Sequence, residues 1–158
     1  MKPMRQAADE FLSQRRIVVT GVSRRPETHG GNVVYRRLRE RGYEVFAVNP
    51  NADEVEGDAC FQDLKSIPDG VDTVVIATSP HFADGTMREA VELGIRRVWM
   101  HRAFGAGSVS KEAAEYGRAH GAEVIEGGCP LMFGTCSDRG HRVMRALFTA
   151  TGKVPRRV

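Results

Sequence analysis

Residues 18–26 pass from an apolar run into a polar turn that carries the side chains best suited to binding a phosphate. Gly21 begins the turn, Arg24 and Arg25 follow it, and two glycines at residues 30–31 open the next predicted helix. Backbone N–H groups at such a turn and at a helix start bind anions, and the helix dipole adds partial positive charge. Guanidinium groups bind phosphate oxygens in pairs. The pattern predicts a phosphate site, although a chain-reversing glycine turn with two solvated arginines has the same pattern.

The end of the second predicted strand argues against an NAD site. Residues 44–48 are followed by Asn49 and Pro50, and the nearest acid is Asp53. An NAD site places Asp or Glu at this strand end to bind the ribose hydroxyls. A plain proline turn also accounts for the pattern.

Small and hydroxyl-bearing residues follow the next core strand. Residues 73–77 are apolar and lead into Thr78, Ser79 and Pro80. Small side chains allow a flat ring or a pyrophosphate to approach the backbone, whereas ordinary strand termination explains them equally well. We expect this stretch to lie beside the first turn.

Histidine and cysteine side chains at other strand ends raise the question of catalysis. His81, His101 and Cys129 lie there, but no acid is placed to orient a histidine and no oxyanion donors are evident. Their spacings match no usual metal-ligand pattern. We therefore expect polar or packing contacts, with no catalytic residue and no metal site. A structural role is expected for three side chains of the tail, Cys136, Asp138 and His141.

Alternating strand and helix patterns predict an α/β fold, a Rossmann-like, doubly wound and mainly parallel sheet flanked by helices. The predicted strands are residues 17–22, 44–48, 73–77, 97–100 and 122–125, and the predicted core helices are 31–41, 83–93 and 110–120. Further helices are predicted at 4–15 and 138–150. Residues 51–63 are predicted to be polar and turn-rich, with a short strand or turn at 54–57, and residues 153–158 to be a frayed basic end. In such sheets, ligands bind beyond the carboxyl ends of the strands, where the strand order reverses.

Composition sets the broad class of protein. A length of 158 residues, with 41% hydrophobic and 27% charged residues, is ordinary for one globular domain. We expect a single domain over 1–158, with a core at 15–133 and a C-terminal helix and tail at 134–158. The net charge of +3 suits an anionic ligand but is too mild for a nucleic-acid partner. Three cysteines without metal or disulfide spacing fit a reducing compartment. We expect a cytoplasmic protein without membrane contact, and a homodimer through the terminal helices is one arrangement open to it.

The order of these signals resembles the CoA-binding domain family, small stand-alone proteins similar to the N-terminal domain of the succinyl-CoA synthetase α subunit. The pattern Gly-Val-Ser-x-x-Pro at residues 21–26 precedes a glycine-led helix and Gly-Tyr-x-Val-x-x-Val-Asn-Pro at 42–50. Similar segments follow at 64–72 and 98–99, and Gly-Cys-Pro at 128–130 resembles the terminal loop of the family. The resemblance covers about residues 15–133.

The resemblance implies a Rossmann-like domain that binds coenzyme A or an acyl-CoA. It implies the diphosphate and 3′-phosphate at the first turn, adenine and ribose along the end of the second strand, and pantetheine running past Thr78 toward the strand that contains Trp99. The residues expected at the ligand are Gly21, Val22, Ser23, Arg24, Arg25, Gly30, Val48, Asn49, Pro50, Thr78, Ser79, Pro80 and His101.

Two departures and two alternatives bear on function. Many relatives carry Gln near the turn where this chain has Met100, His101 and Arg102, and no second domain that bears a phosphohistidine is evident. We therefore expect a non-catalytic or accessory CoA-binding protein that does not run the ligation alone. The alternative is an NAD(P)-dependent oxidoreductase, since Arg24 and Arg25 would suit a 2′-phosphate. A nucleic-acid-binding protein is the weakest alternative.

Overall fold

A computed structural model describes residues 1–25, 30–103, 105, 107–134 and 137–158. Three residues singled out above, Pro26, Phe104 and Cys136, lie outside the described residues. The described strands are β1 (Arg16–Thr20), β2 (Glu44–Val48), β3 (Glu54–Val55), β4 (Asp58–Phe61), β5 (Thr73–Ile76), β6 (Arg97–Met100) and β7 (Glu123–Glu126). The described helices are α1 (Met4–Leu12), α2 (Gly30–Glu40), α3 (Pro80–Glu92), α4 (Lys111–Ala119) and α5 (Arg139–Ala150), with a short 3-10 helix at Pro130–Met132.

Within the described residues the seven strands form one sheet in the order β3-β4-β2-β1-β5-β6-β7. All neighbours pair in parallel except β3 and β4, which are antiparallel. The order reverses between β1 and β5, which pair from Val18↔Val74 to Thr20↔Ile76. The predicted Rossmann-like, mainly parallel fold is therefore confirmed, and its switch point lies between the first and the third core strands.

Alternate residues of the buried strands supply two cores, one on each face of the sheet. Val19, Val75 and Trp99 face a layer formed by α1, α2 and the 3-10 helix. Val18 and Val74 face a layer formed by α3 and α4. Apolar side chains at nearly every strand position are needed because helices cover both faces of a parallel sheet.

The antiparallel edge of the sheet differs from the prediction. Residues 51–63 were expected to be turn-rich, but Asp58–Phe61 forms β4, which pairs with β2 through Ala47↔Cys60 and Val48↔Phe61. Tyr35 of α2 donates a hydrogen bond to Asp58, with 2.7 Å between the oxygens. A side chain distant in sequence thus holds this short strand, which has little apolar pattern of its own.

The C-terminal segment is anchored, so the prediction of a frayed end was wrong. Lys2 and Val158 exchange two backbone hydrogen bonds of 3.0 Å, and the N–H of Met4 donates to the carbonyl of Arg156. The side chain of Val154 is 2% exposed and joins the core. Backbone pairing with the N-terminal segment and one buried valine hold the end of the chain in place.

Helix α5 buries only part of its apolar surface. Met144 packs against the core, whereas Val143 and Leu147 are 59% and 60% exposed. Asp138 caps the helix by accepting from the backbone N–H of His141 at 2.8 Å. No described helix is both long and apolar enough to cross a bilayer.

Candidate functional site at the switch point

A cleft of about 530 Å³ opens at the carboxyl ends of β1, β2 and β5. Its position is the one at which doubly wound sheets bind ligands, because the helices that follow β1 and β5 leave on opposite faces there. The cleft is lined by Thr20, Gly21, Ser23, Val48, Asn49, Pro50, Asn51, Gln62, Asp63, Leu64, Ala77, Thr78, Ser79, Phe82, Gly85, Thr86 and Glu89. Seven of the residues predicted at the ligand are among them, Gly21, Ser23, Val48, Asn49, Pro50, Thr78 and Ser79.

Gly21 brings the first turn against the neighbouring strand end. Its φ is +77°, and a Cβ at this position would lie 2.7 Å from the carbonyl oxygen of Ala77. A Cβ on Gly31 would lie 3.0 Å from the carbonyl oxygen of Gly21. The floor of the cleft is therefore backbone, and only residues without a Cβ allow the start of α2 to approach it.

Two asparagines hold the first turn. Asn32, fully buried on α2, accepts from the N–H of Ser23 at 2.8 Å and donates to its carbonyl at 2.7 Å. Asn49 donates to the carbonyl of Val22 at 2.9 Å and accepts from the N–H of Asn51. Asn49, expected along adenine and ribose, thus has its amide engaged within the protein.

The N–H groups of the turn, expected to bind an anion, are instead bonded within the protein. The N–H of Gly21 donates to Val48, that of Ser23 to Asn32, and that of Arg25 to the Ser23 hydroxyl. The first N–H groups of α2 have no acceptor within the helix, which suits them to binding an anion. The positive pole of the site is therefore the start of α2 more than the turn.

The remaining predicted residues take several positions. Val22 is fully buried in the core, so only its backbone faces the turn. Arg24 and Arg25 are exposed beside the turn. Pro80 is the first residue of α3, where its missing N–H costs no hydrogen bond. Gly30, the first residue of α2, lies against the residue that follows β6, because a Cβ on Gly30 would be 3.2 Å from Cε1 of His101.

Buried hydroxyls line the cleft without partners. Among the described residues, Thr20 and Thr78 have buried Oγ1 atoms that make no hydrogen bond. A buried hydroxyl without a partner costs free energy, so these two atoms are suited to a ligand that supplies the missing bond. Thr78 was predicted at the ligand and Thr20 was not, since a threonine ending an apolar strand has no distinctive signal in the sequence.

Sequence reasoning also missed one aromatic ring and two carboxylates of the cleft. The Phe82 side chain is 63% exposed on the first turn of α3. Glu89 accepts from the N–H groups of Leu64 and Lys65, and Asp63 accepts from Ser66. Both acids are far from the end of β2 in the sequence, and only the packing of α3 beside the loop after β4 places them in the cleft.

Other titratable side chains are His101, which follows β6, and the pair of Asp138 and His141 at the start of α5. Burial, and to a lesser extent the charge of His141, lower the pKa of His101 to about 4. Nδ1 of His141 lies 2.8 Å from Oδ2 of Asp138. His141 and Asp138, expected to be structural, are thus paired with each other at the start of α5.

Cys129 and His81 were the other candidates for catalysis or metal binding. Cys129 is buried, and burial raises the pKa of its thiol to about 12. His81 is exposed and its ring packs edge-on against Phe82 at 5.1 Å. In the described part of the chain, no three His, Cys, Asp or Glu side chains are arranged to hold a metal ion.

The sequence of the chain matches a known protein family. The CoA binding domain family matches residues 15–135, which include β1 to β7 and every residue predicted at the ligand. The chain belongs to the CoA binding domain family. The suspected resemblance is therefore confirmed over most of the chain.

Relatives in this family include both parts of larger enzymes and small proteins. The α subunit of acetate–CoA ligase (ADP-forming) II from Pyrococcus furiosus is 30% identical over 152 residues, which cover 92% of this chain and 32% of that subunit. The chain thus spans about a third of that relative. The uncharacterized protein YneT from Bacillus subtilis is 29% identical over 78% of this chain and 88% of its own length.

A solved structure agrees with the fold. A conserved hypothetical protein from Pyrococcus furiosus is 34% identical and superposes with a TM-score of 0.64, over 73% of this chain and 95% of that one. The common architecture therefore accounts for nearly the whole of that protein and for about three quarters of this chain.

Proposed function

We propose that the cleft binds coenzyme A or an acyl-CoA and that the chain acts as a non-catalytic or accessory CoA-binding protein. The observation that carries the proposal is the cleft at the switch point with two buried, unpartnered threonine hydroxyls, in a chain of the CoA binding domain family. Its volume of about 530 Å³ is within the range of small-molecule sites.

Charge and shape support a specific course for the ligand. The diphosphate and 3′-phosphate lie near Gly21, Ser23 and the exposed Arg24 and Arg25, close to the start of α2, where the helix dipole favours anions. Adenine and ribose lie along the end of β2. The exposed ring of Phe82 offers the base a stacking partner on the opposite wall of the cleft.

The pantetheine arm follows the gap between the two helices that leave the switch point. It passes Thr78, Ser79 and Pro80 and ends near His101, which follows β6. The carboxylates of Asp63 and Glu89 lie on the wall near the loop after β4, so the phosphates are expected on the other side, toward α2.

The binding test is calorimetric titration of the purified chain with CoA, acetyl-CoA, dephospho-CoA and NADPH. CoA at about 100 times its Kd should add about 2.7 kcal/mol to the free energy of unfolding. NADPH binding with no CoA binding would overturn the proposal in favour of the oxidoreductase alternative, and no binding of either would overturn both.

A double variant locates the 3′-phosphate. Arg24→Ala with Arg25→Ala should weaken CoA by at least tenfold and dephospho-CoA by less, because the 3′-phosphate is the group that the two ligands do not share. Arg156→Ala with Arg157→Ala removes the same charge from exposed positions at the end of the chain and is the matched control. Equal losses for CoA and dephospho-CoA would place the two arginines elsewhere.

A further inference from the structure

The two helices that flank the family match border one groove. Helices α1 and α5 both fall outside residues 15–135, and a groove of about 550 Å³ is lined by both of them and by the C-terminal segment. Met4, Phe133 and Val154 line it with apolar side chains that are themselves buried. The groove shares no lining residue with the cleft at the switch point, so it is a separate feature of the surface.

Arginine side chains line the same groove. Arg5 comes from α1, Arg145 from α5 and Arg156 from the C-terminal segment. Arg145 donates to the carbonyl of Met132 at 3.2 Å, and its guanidinium lies 5.4 Å from the centre of the Phe133 ring. In the described part of the chain, Arg5 and Arg156 are exposed and form no ion pair with a carboxylate. Their charges are therefore available to an acidic group that reaches the groove.

Helix α5 adds an exposed apolar stripe beside the groove. Val143 and Leu147 are 59% and 60% exposed, and Ala146 and Ala150, which also line the groove, are exposed as well. These four residues share one face of the helix because they are spaced three and four apart. The groove and the stripe together, here called the α5 surface, extend along the 12 residues of α5, about 18 Å.

The charge of this region is strongly positive. Residues 139–158 contain five Arg and one Lys and no Asp or Glu, although the net charge of the whole chain is only +3. Of the two acids on α1, Glu10 pairs with Lys2, and Asp9 does not line the groove. A surface that is apolar and positive is complementary to a partner that is apolar and acidic.

Shape and charge distinguish between the kinds of partner. A second copy that packed its own α5 on the first would bring like charges together, which is unfavourable. Helices that bind bilayers insert large side chains such as Trp, Phe and Leu, whereas half of this stripe is alanine beside a groove. Nucleic-acid interfaces are polar, whereas the centre of the α5 surface is apolar. An amphipathic helix that lays its apolar face in a groove fits both features.

We propose that the α5 surface docks an acidic amphipathic helix of a partner protein. The apolar face of that helix fills the groove over Ala146 and Ala150, whose small side chains allow the two helix axes to approach. Acidic side chains at its edges pair with Arg5, Arg156 and the exposed Arg142. This inference goes beyond the proposed function and does not depend on it, because the groove and the cleft are separate.

The test measures the binding of three fluorescein-labelled synthetic peptides by fluorescence anisotropy. The first peptide has about 16 residues, enough to span the α5 surface, with Leu on one helical face and Glu and Ala on the other. The second is a scrambled form of the same composition, and the third has Lys in place of every Glu. The amphipathic Glu peptide should bind saturably and at least tenfold more tightly than the scrambled peptide, and the Lys peptide should not bind.

A steric variant tests whether the peptide occupies the groove. Ala146→Trp fills the space beside α5 and should weaken the amphipathic Glu peptide at least tenfold. Ala119→Trp is the matched control, because Ala119 is exposed at the last position of α4 and does not line the groove. The control should bind the peptide as the unchanged protein does.

A charge variant tests whether the arginines of the groove hold the peptide. Arg5→Glu with Arg156→Glu should weaken the amphipathic Glu peptide at least tenfold. Arg15→Glu with Arg96→Glu makes the same change in net charge at exposed positions outside the groove, so it should weaken the peptide much less. The comparison separates the local charge of the groove from the net charge of the protein.

Each outcome decides the inference. No saturable binding of the amphipathic Glu peptide, equal binding of its scrambled form, or equal losses in a variant and its control overturns the docking surface. Tighter binding to vesicles of phosphatidylserine and phosphatidylcholine, or to duplex DNA, overturns it in favour of that partner. A dimer in sedimentation equilibrium that Ala146→Trp dissociates overturns it in favour of a second copy. Circular dichroism of each variant excludes loss of the fold as the cause, and failure of CoA to bind leaves this inference standing.

Discussion

Asn32 and Ser23 form a two-way hydrogen-bonded pair, in which the buried amide of Asn32 accepts from the N–H of Ser23 and donates to its carbonyl, at 2.8 and 2.7 Å. The same amide donates to Glu56 at 2.8 Å. One side chain of α2 thus determines the conformation of the first turn and links it to the loop between β3 and β4.

Replacing Asn32 by Ala should destabilise the fold and weaken CoA binding. The substitution leaves the partly buried backbone N–H and carbonyl of Ser23 without this partner, which costs about 2 kcal/mol, whereas Glu56 keeps its bond from Arg36. Urea denaturation measures the loss of stability, and calorimetry measures the loss of affinity. Asn51→Ala is the stability control because its side chain is exposed. Equal stability of the two variants would contradict the role given to the pair.

A pair of glycine substitutions isolates the close approach at the switch point. Gly21 and Gly42 both have positive φ, at +77° and +89°, but a Cβ meets the Ala77 carbonyl at 2.7 Å in the first case and nothing within 4 Å in the second. Gly42→Ala should cost about 1 kcal/mol from the left-handed backbone alone. Gly21→Ala should cost clearly more and abolish CoA binding. Thermal denaturation compares them, and a Gly21→Ala variant as stable as Gly42→Ala would refute the steric argument.

The thiol of Cys129 should be unreactive in the folded protein. Burial raises its pKa to about 12, so almost none of it is thiolate at pH 8. Iodoacetamide at pH 8 should leave the peptide that contains Cys129 unlabelled until urea is added, as judged by peptide mass spectrometry. Rapid labelling in the folded state, or a mixed disulfide of Cys129 with CoA, would contradict this prediction.

His101 should make stability fall as the solution is acidified. Its pKa is about 4 in the folded protein and 6.5 for the ordinary side chain, so between these values the unfolded chain binds more protons. The free energy of unfolding therefore rises with pH across this window. As the pH falls from 6.5 to 4, the protonation of this residue lowers the free energy of unfolding by at most about 3 kcal/mol.

Urea denaturation across that window, compared with a His101→Gln variant, measures the contribution. The carboxyls of Asp58 and Asp138 also have lowered pKa values and lose stability at low pH, but they are present in both proteins. The variant should show a shallower dependence between pH 6.5 and 4. If the free energy of unfolding depended on pH equally in the two proteins, the His101 ring would be well solvated.

Most of the fold follows from local patterns. The β-branched run at residues 73–77 and the glycines at 42 and 94, each after a helix, predict elements that the structure has within a few residues of the expected bounds. Helix α3 begins at Pro80 instead of residue 83, because proline suits the first position of a helix. β4 was missed because four residues with two partly polar positions carry no periodic signal of their own.

The amino-acid pattern alone predicts where the candidate site lies, since the carboxyl ends of parallel strands and a glycine-led helix are local features that the switch point of the sheet brings together. Only the three-dimensional packing decides what that site contains. The bond from Asn32 to Ser23, and the placement of the acids Asp63 and Glu89 on the cleft wall, bring together residues whose separation along the chain is not encoded in any period. The spacing of side chains along the sequence shows which of them share a face of one helix or strand, whereas contacts between elements depend on the path of the whole chain.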